Sequence, residues 1–511
     1  MSRASGGQSR ASGGQSRTSG GQPALGNGTP EQVHLTWGDD PATSVVVSWG
    51  SPARAVRPRV RIGQRVILAR EQAYTDEATG KTGWIYHAPV PGLRAGATYA
   101  YAVTADNDSN ARDPFTSTFR TAPTSRAAFR FTSFGDLSCP DDAEAAYTEA
   151  GYPAGTVESF QPLFHLMNGG LCGTAAAWRG FANGSQFSAA SRPWMPVPGL
   201  PGPAGPEPYL ARYALPADGA PEAAGRWYSF RVGTVVFACL DSADVTSGTS
   251  APAAQTRWLE RTLAQARADA SVDWIIISSH HAACSSAAAG CYLGIREEWL
   301  PLLDRYEADL LLSGHGAGYE QSFPCRGHDL LAGRLPGTGE VVETRRPHPV
   351  ARIDGETTDT SQGTVHLVLG ADVLGSDVLG SGVLGAGVLG ADVLGADVLG
   401  AGAGGREGAG GSATGTALVR PRAGATAIED ATWSARRDPA GGYGIVVFDV
   451  DPGGDAGDHA SIRVTCYRSP GSGQGTPLTD DLAQFERFTL VRPRSDRRPG
   501  RARGDATPAR T

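Results

Sequence analysis

The chain has 511 residues, with 45 Lys and Arg against 52 Asp and Glu, and a formal net charge of -7. That length accommodates two or three domains and a sizeable core. The charge gives no global basic field for nucleic acid or an anionic membrane, and no apolar run reaches the roughly 18 residues a membrane-spanning helix needs.

Residues 1–28 read as a tail. Ser-Arg-Ala-Ser-Gly-Gly-Gln repeats three times from Ser2 to Gln22, with Thr18 in the last copy. It lacks the apolar stretch of a secretory signal and has the composition of a flexible segment. From Glu31 the pattern changes to short alternating strands: Val33–Trp37, Ser44–Trp49, two within Arg59–Leu68, Ile85–Val90, Leu93–Val103 and Thr116–Thr121. Gly, Asp and Pro punctuate them. Strands at this spacing predict a β-sandwich over 29–122.

A second unit is expected over 127–492. Phe129–Asp136, Leu163–Gly170 and Arg192–Gly199 are apolar strands ending in glycine or Gly-Asp, and Trp227–Val232 with Val235–Asp241 reads as a hairpin. Gln255–Ala268 has helical spacing through Trp258, Leu259 and Leu263. Then follow the strand Val272–His280, a helix over Gly294–Tyr306, and the strand Leu310–Leu312, which stops at Ser313-Gly314 and throws out His315. Strands alternating with helices predict layered α/β, and the carboxyl ends of such strands are where ligands bind. Gly363–Gly370, Tyr443–Asp449, Ala460–Cys466 and Phe485–Val491 are expected to complete a second sheet.

Residues 371–400 are six tandem copies of [Ala/Ser]-[Asp/Gly]-Val-Leu-Gly, trailing into a Gly/Ala-rich run to Gly415. Six copies would make barely more than one coil of a pentapeptide β-helix, so the insert 371–415 reads as a disordered loop. Residues 493–511, rich in Arg, Pro and Gly, are expected to be a disordered tail. Seven cysteines do not form a disulfide framework in a chain this long. Cys284 and Cys291 flank a small-residue loop and either pair in an oxidising compartment or stay reduced.

These motifs resemble the calcineurin-type metallophosphoesterases, most closely the purple acid phosphatases. Gly314-His315-Gly316-Ala317 with Tyr319-Glu320 is similar to the family's terminal Gly-His-x-His and Tyr-Glu. Gly-Leu-Arg-Ala-Gly-Ala-Thr-Tyr-Ala-Tyr, followed by Phe-Arg-Thr-Ala-Pro, looks like a fibronectin type III domain, which purple acid phosphatases carry before the catalytic domain. The resemblance implies a four-layer α/β/β/α sandwich preceded by a fibronectin type III-like β-sandwich, phosphate monoesters as substrates, and two cations roughly 3.5–4 Å apart. Relatives are commonly exported, although no signal peptide is present here.

Carried over motif by motif, the ligand set is broken. Gly135-Asp136 keeps its aspartate. The motif whose Asp bridges both metals and whose Tyr gives the colour is Gly169-Gly170-Leu171-Cys172-Gly173, without either side chain. Gly-Asn-His-Glu has become Gly199-Leu200-Pro201-Gly202, so the phosphate-assisting histidine is Pro201. His280 and His315 persist, and the last ligand is Ala317. The metal candidates are therefore Asp136, His280 and His315, for one divalent cation such as Zn, Fe or Mn. An intact di-metal centre is not expected. His281 is a substitute ligand only if its strand has ended, because neighbouring strand residues face opposite ways. Asp241 and Asp244 are further candidates, although aspartates there more often bond to turns. Each retained residue also has a bland reading, as a turn cap or an inherited leftover. Three readings follow: an impaired or inactive phosphoesterase, a residual mono-metal phosphoesterase using His280, His315 and Asp136, and a non-enzymatic binding protein acting through its β-sandwich.

Overall fold

A computed structural model of the protein describes residues 27–135, 154–370 and 426–497, apart from 76–79, 81, 111, 171–174, 200–205, 220–222, 247–252, 287–290, 316–317, 336–338, 354, 428, 439–443, 454–456 and 469–481. The tail 1–26, the repeat insert, Asp136 and Pro201 lie outside the described residues.

Eight strands build the first unit: β1 (Glu31–Thr36), β2 (Val45–Ser51), β3 (Arg59–Ile62), β4 (Arg65–Leu68), β5 (Arg70–Thr75), β6 (Thr82–Val90), β7 (Thr98–Thr104) and β8 (Phe115–Arg120). They form two antiparallel sheets, ordered β1-β2-β6-β5 and β4-β3-β7-β8. Val33, Leu35, Val47, Trp49, Val60, Tyr86 and Val103 fill the space between them. Strand β5 escapes a reading of periodicity because Arg-Glu-Gln-Ala-Tyr-Thr has no apolar face. It is an edge strand, almost wholly exposed.

The second unit opens with β9 (Phe129–Phe134), α1 (Ala154–Ser159), β10 (Phe164–Met167), α2 (Ala175–Ala189), β11 (Trp194–Pro196), α3 (Glu207–Arg212), β12 (Tyr228–Val232) and β13 (Val235–Cys239). It continues through α4 (Ala243–Thr246), α5 (Ala253–Ala268), β14 (Trp274–Ser279), β15 (Cys291–Tyr292), α6 (Leu293–Glu298), α7 (Leu300–Arg305), β16 (Leu310–Ser313), β17 (Tyr319–Ser322), β18 (Cys325–Arg334) and β19 (Val341–Pro349). The last strands are β20 (Thr357–Asp359), β21 (Val365–Leu369), β22 (Thr426–Ala427), β23 (Ser434–Asp438), β24 (Gly444–Asp451), β25 (His459–Arg468) and β26 (Ala483–Pro493).

Two seven-stranded sheets, β11-β10-β9-β24-β25-β26-β20 and β12-β13-β14-β16-β21-β17-β23, pack face to face. Their shared core is aromatic: Phe131 stacks on Phe448 at 4.4 Å and meets Phe237 edge-on at 5.3 Å. Such offset and T-shaped pairs add to the burial of large apolar area. Trp258, Leu259 and Leu263 of α5, with Ile295 and Leu303 of α6 and α7, cover the outer face of the second sheet. This is the four-layer sandwich. The four C-terminal strands do not all complete one second sheet, as expected from the sequence, but divide between the two. β21 inserts beside β16, whereas β24, β25 and β26 extend the sheet of β9. The predicted single helix over 294–306 is two, broken at Trp299, because Pro301 has no N–H for the helical ladder.

The two units share a polar seam at β1. Val33 and Gln32 donate their backbone N–H groups to the side-chain oxygens of Gln186 (2.7 Å) and Asn183 (3.1 Å) on α2. Arg179 pairs with Glu31 at 2.7 Å. Ordered structure also runs past the expected start of the C-terminal tail. Arg492 of β26 is fully buried, and Ser495–Arg497 forms a short 3-10 turn. The buried Asp309 carboxylate, just before β16, takes bonds from Arg492, from Arg267 (3.1 Å), from Thr360 (2.7 Å) and from the backbone N–H of Ile275 (2.9 Å).

Candidate active site

The carboxyl ends of β9, β10, β14, β16 and β21 meet at one place, where glycine backbones of the two sheets touch. Gly135 follows β9 and Gly314 follows β16. A Cβ on Gly135 would lie 2.4 Å from the Gly314 Cα, and a Cβ on Gly314 would lie 2.0 Å from the Asn168 carbonyl oxygen. Neither position admits a side chain unless backbone moves. Gly135 also forms a parallel bridge with Gly370, after β21. Asn168 ties the sheets together. Its amide nitrogen donates to Ser133 Oγ of β9 (2.7 Å), and its amide oxygen accepts from Ser278 Oγ of β14 (2.7 Å).

His280 and His315 are brought together, with ring centres 4.9 Å apart. Backbone holds them. The N–H groups of Gly314 and His315 both donate to the His280 carbonyl, at 3.0 and 2.7 Å. His280 Nδ1 lies 3.3 Å from the Asn168 carbonyl oxygen, which can only accept, so Nδ1 carries the proton and Nε2 presents a lone pair. Burial, followed by the neighbouring His315, pushes the His280 pKa down to about 3 and keeps the ring neutral. His315 Nδ1 is buried and has no hydrogen-bond partner among the described residues.

His281 joins this cluster. β14 ends at Ser279, so the alternation of a strand no longer separates the two rings, and His281 lies 4.8 Å from His280 and 5.3 Å from His315. Ser242 Oγ accepts the backbone N–H of His281 at 3.0 Å and meets its Nδ1 at 2.8 Å. Tyr292 packs against His281 at 4.3 Å. The tandem histidines at 280 and 281 are the only sequence signal for this, and the end of the strand is what gives it meaning. The roles of Ser242 and Asn168 had no such signal.

Asp241 and Asp244 are engaged elsewhere. Asp241 pairs with Arg226 (2.6 Å) and accepts the N–H of Ala243 (3.1 Å), and Asp244 accepts from Gln255 (3.2 Å). Cys284 and Cys291 are both free thiols, and Cys291 Sγ bonds the backbone of Ser285 instead.

Among the described residues no three His, Cys, Asp or Glu side chains stand ready-made as a metal cage. The free lone pair of His280 and the orphaned Nδ1 of His315 nevertheless fit a divalent metal, with the opposite nitrogen of His280 anchored on backbone as metal-bound histidines usually are. After β10, Gly170 offers no side-chain donor and has φ +81°.

A family model described as the purple acid phosphatase N-terminal domain matches residues 30–121. Uncharacterized proteins from two Mycobacterium tuberculosis strains are 34% identical over 501 residues, spanning 90% of this chain and 87% of theirs. The Fe(3+)-Zn(2+) purple acid phosphatase 12 of Arabidopsis thaliana is 24% identical over 321 residues, 58% of this chain and 65% of its own. Among solved structures, a purple acid phosphatase from yellow lupin seeds superposes with a TM-score of 0.57 at 16% identity, covering 92% of this chain and 75% of that one. With its sandwich, its paired sheets and the matching motifs at their strand ends, the chain belongs to the purple acid phosphatase-like metallophosphoesterases.

Proposed function

We propose that this chain is a phosphoesterase of that family whose catalysis is impaired or lost. One observation carries the reading: Gly170 stands where the family places the carboxylate that bridges two cations. Two bound cations would clamp a phosphate ester and supply an activated hydroxide. Without the bridge nothing holds the pair together, and loss even of groups behind a metal's ligands costs about 10–100-fold in affinity or activity. The family histidine that assists the phosphate is Pro201, which has no proton to give. What the chain's own residues still do is hold two imidazoles, His280 and His315, at a buried strand-end cradle. The test is hydrolysis of p-nitrophenyl phosphate with added Fe, Zn or Mn. Turnover within tenfold of an ordinary enzyme's ~10 per second overturns the reading.

A second reading is favoured by the orphaned His315 Nδ1 and the free lone pair of His280. In it a single cation is held by His280, His315 and Asp136, leaving feeble hydrolysis. Metal analysis of the purified protein decides it, since a chain holding no metal excludes it. Action as a binding protein through the β-sandwich has less support. One edge of its first sheet, β1, is already taken by Asn183 and Gln186, which leaves only the polar edge strand β5 for a partner strand to add.

A further inference from the structure

We propose that the seam between the two units is an acid-released clasp, in which His34 and His87 of the sandwich hold the end of α3 while neutral and release it when they take up protons. The inference is independent of whether the strand-end cradle binds a metal.

Donors of the first unit meet carbonyls of the second. Helix α3 ends at Arg212, so its last carbonyls have no partner within the helix. His87 Nε2 of β6 meets the Ala211 carbonyl at 3.0 Å, and His34 Nε2 of β1 meets the Arg212 carbonyl at 2.7 Å. Thr36 Oγ1 donates to the Ala214 carbonyl at 2.7 Å. Arg212 reaches back, with Nε donating to Gln32 Oε1 at 3.1 Å and Nη1 to the Tyr74 hydroxyl at 3.0 Å. Gln32 itself has φ +56°, a left-handed backbone that a residue with a side chain adopts at a cost. The second unit holds it there through its N–H, bonded to Asn183, and its side chain, bonded to Arg212. Opening the seam relieves that strain.

The charges at the seam have one sign. His34, Ser48, His87 and Arg70 form a cross-strand row over β1, β2, β6 and β5. The Arg212 guanidinium and the uncharged Tyr74 and Tyr213 face it, Tyr213 lying edge-on to His34 at 5.3 Å. Glu207 stands in the exposed first turn of α3, at the other end of the helix. Among the described residues, the carboxylate that joins this network is Glu31, which accepts from Gln32 (2.9 Å) and is committed to Arg179 (2.7 Å). A second proton on His34 would complete a bond to the Gln32 carbonyl, 2.7 Å from Nδ1, and the carbonyl end of a helix favours a cation. Both gains are smaller than the cost of placing an unpaired cation in a buried seam. Burial accordingly lowers the His34 pKa below 6.5 and, with His34 beside it, brings His87 to about 4. Opening returns both rings to water, where they protonate near 6.5. The clasp is therefore whole above pH 6.5 and is lost as pH falls toward about 4.

The experiment is hydrogen exchange of the full chain by mass spectrometry between pH 7 and 4.5, corrected for intrinsic exchange and read on peptides spanning β1 and α3. Peptides from β9 and β24 report global unfolding. The seam's opening constant should rise by up to about a hundredfold per pH unit below 6.5, about tenfold for each histidine, while β9 and β24 stay protected. The double variant His34→Gln, His87→Gln keeps amide donors but takes no protons, and should remove that pH dependence; each single variant should leave about tenfold per unit. Thr36→Val deletes a bond that does not titrate, so it should raise opening equally at every pH. Circular dichroism at pH 7 identifies a variant that fails to fold, and the single variants decide if the double one does. The proposal is overturned if the seam of the unaltered chain stays protected at pH 4.5, or if folded glutamine variants open with the unaltered pH dependence.

Discussion

Gly314→Ala tests whether the two sheets truly meet through bare backbone. The added Cβ would lie 2.0 Å from the Asn168 carbonyl oxygen, 2.9 Å from its carbon and 3.0 Å from the Gly135 Cα. Ordinary contact begins near 3.4 Å, so the carbonyl must retreat by more than an ångström. No flexible side chain is available to absorb this, since every contact is backbone. Overpacking of a dense interior costs about 1–3 kcal/mol, and a clash with immovable partners belongs at the top of that range, about 3 kcal/mol. Gly92→Ala is the control: its φ is +72° but nothing lies within 4 Å, so only the left-handed conformation is penalised, by about 1 kcal/mol. Urea denaturation, compared at the midpoint with unchanged slope, should therefore separate the two by about 2 kcal/mol. Histidine ring resonances should shift in Gly314→Ala alone, because the Gly314 N–H holds the His280 carbonyl. A Gly314→Ala variant no less stable than Gly92→Ala, with unmoved histidine resonances, refutes the reasoning.

Gly170→Asp restores the missing carboxylate. It should raise metal stoichiometry and any residual p-nitrophenyl phosphate turnover, at a stability cost of roughly 1 kcal/mol for a non-glycine at φ +81°; an unchanged stoichiometry counts against it. Asp309→Ala should destabilise the protein by about 3–5 kcal/mol in denaturant titrations, because it strips Arg267 and Arg492 of their shared buried carboxylate. Acid should also weaken the fold. Burial lowers the His165 pKa from 6.5 to about 3, so the unfolded chain takes a proton that the folded one refuses. That part of the stability is whole above pH 6.5 and is lost progressively as pH falls toward about 3. His165→Phe, which keeps a ring between Phe134 and Trp194, should make the slope shallower.

Most of the framework is legible in the sequence because each strand end carries its own punctuation. Gly135, Gly169 and Gly314 are visible as motif glycines, and the structure supplies their reason: contact between backbones at Gly135 and Gly314, and at Gly169 a φ of +76° against the His280 side chain. The apolar run at Leu310–Leu312 reads as a buried parallel strand and is one, between β14 and β21. Sheet membership of the C-terminal strands is not legible. Val365–Leu369 and Gly444–Asp451 are both apolar runs, and only long-range pairing sends one beside β16 and the other beside β9. The gathering of His281 with His280 and His315 hinged on where β14 stops, and strand boundaries are set by neighbours more than by composition. Asp136 remains an expectation from its motif alone.

The glycine seam separates folding from chemistry. Backbone atoms and the Asn168 amide join the sheets there, so most of the joint does not depend on a metal-binding side chain. A substitution of a reactive side chain beside the seam would therefore leave most of this joint intact. The same independence runs in reverse. A joint built this way could receive an added ligand without being rebuilt, which makes this chain a starting point for designing a metal centre.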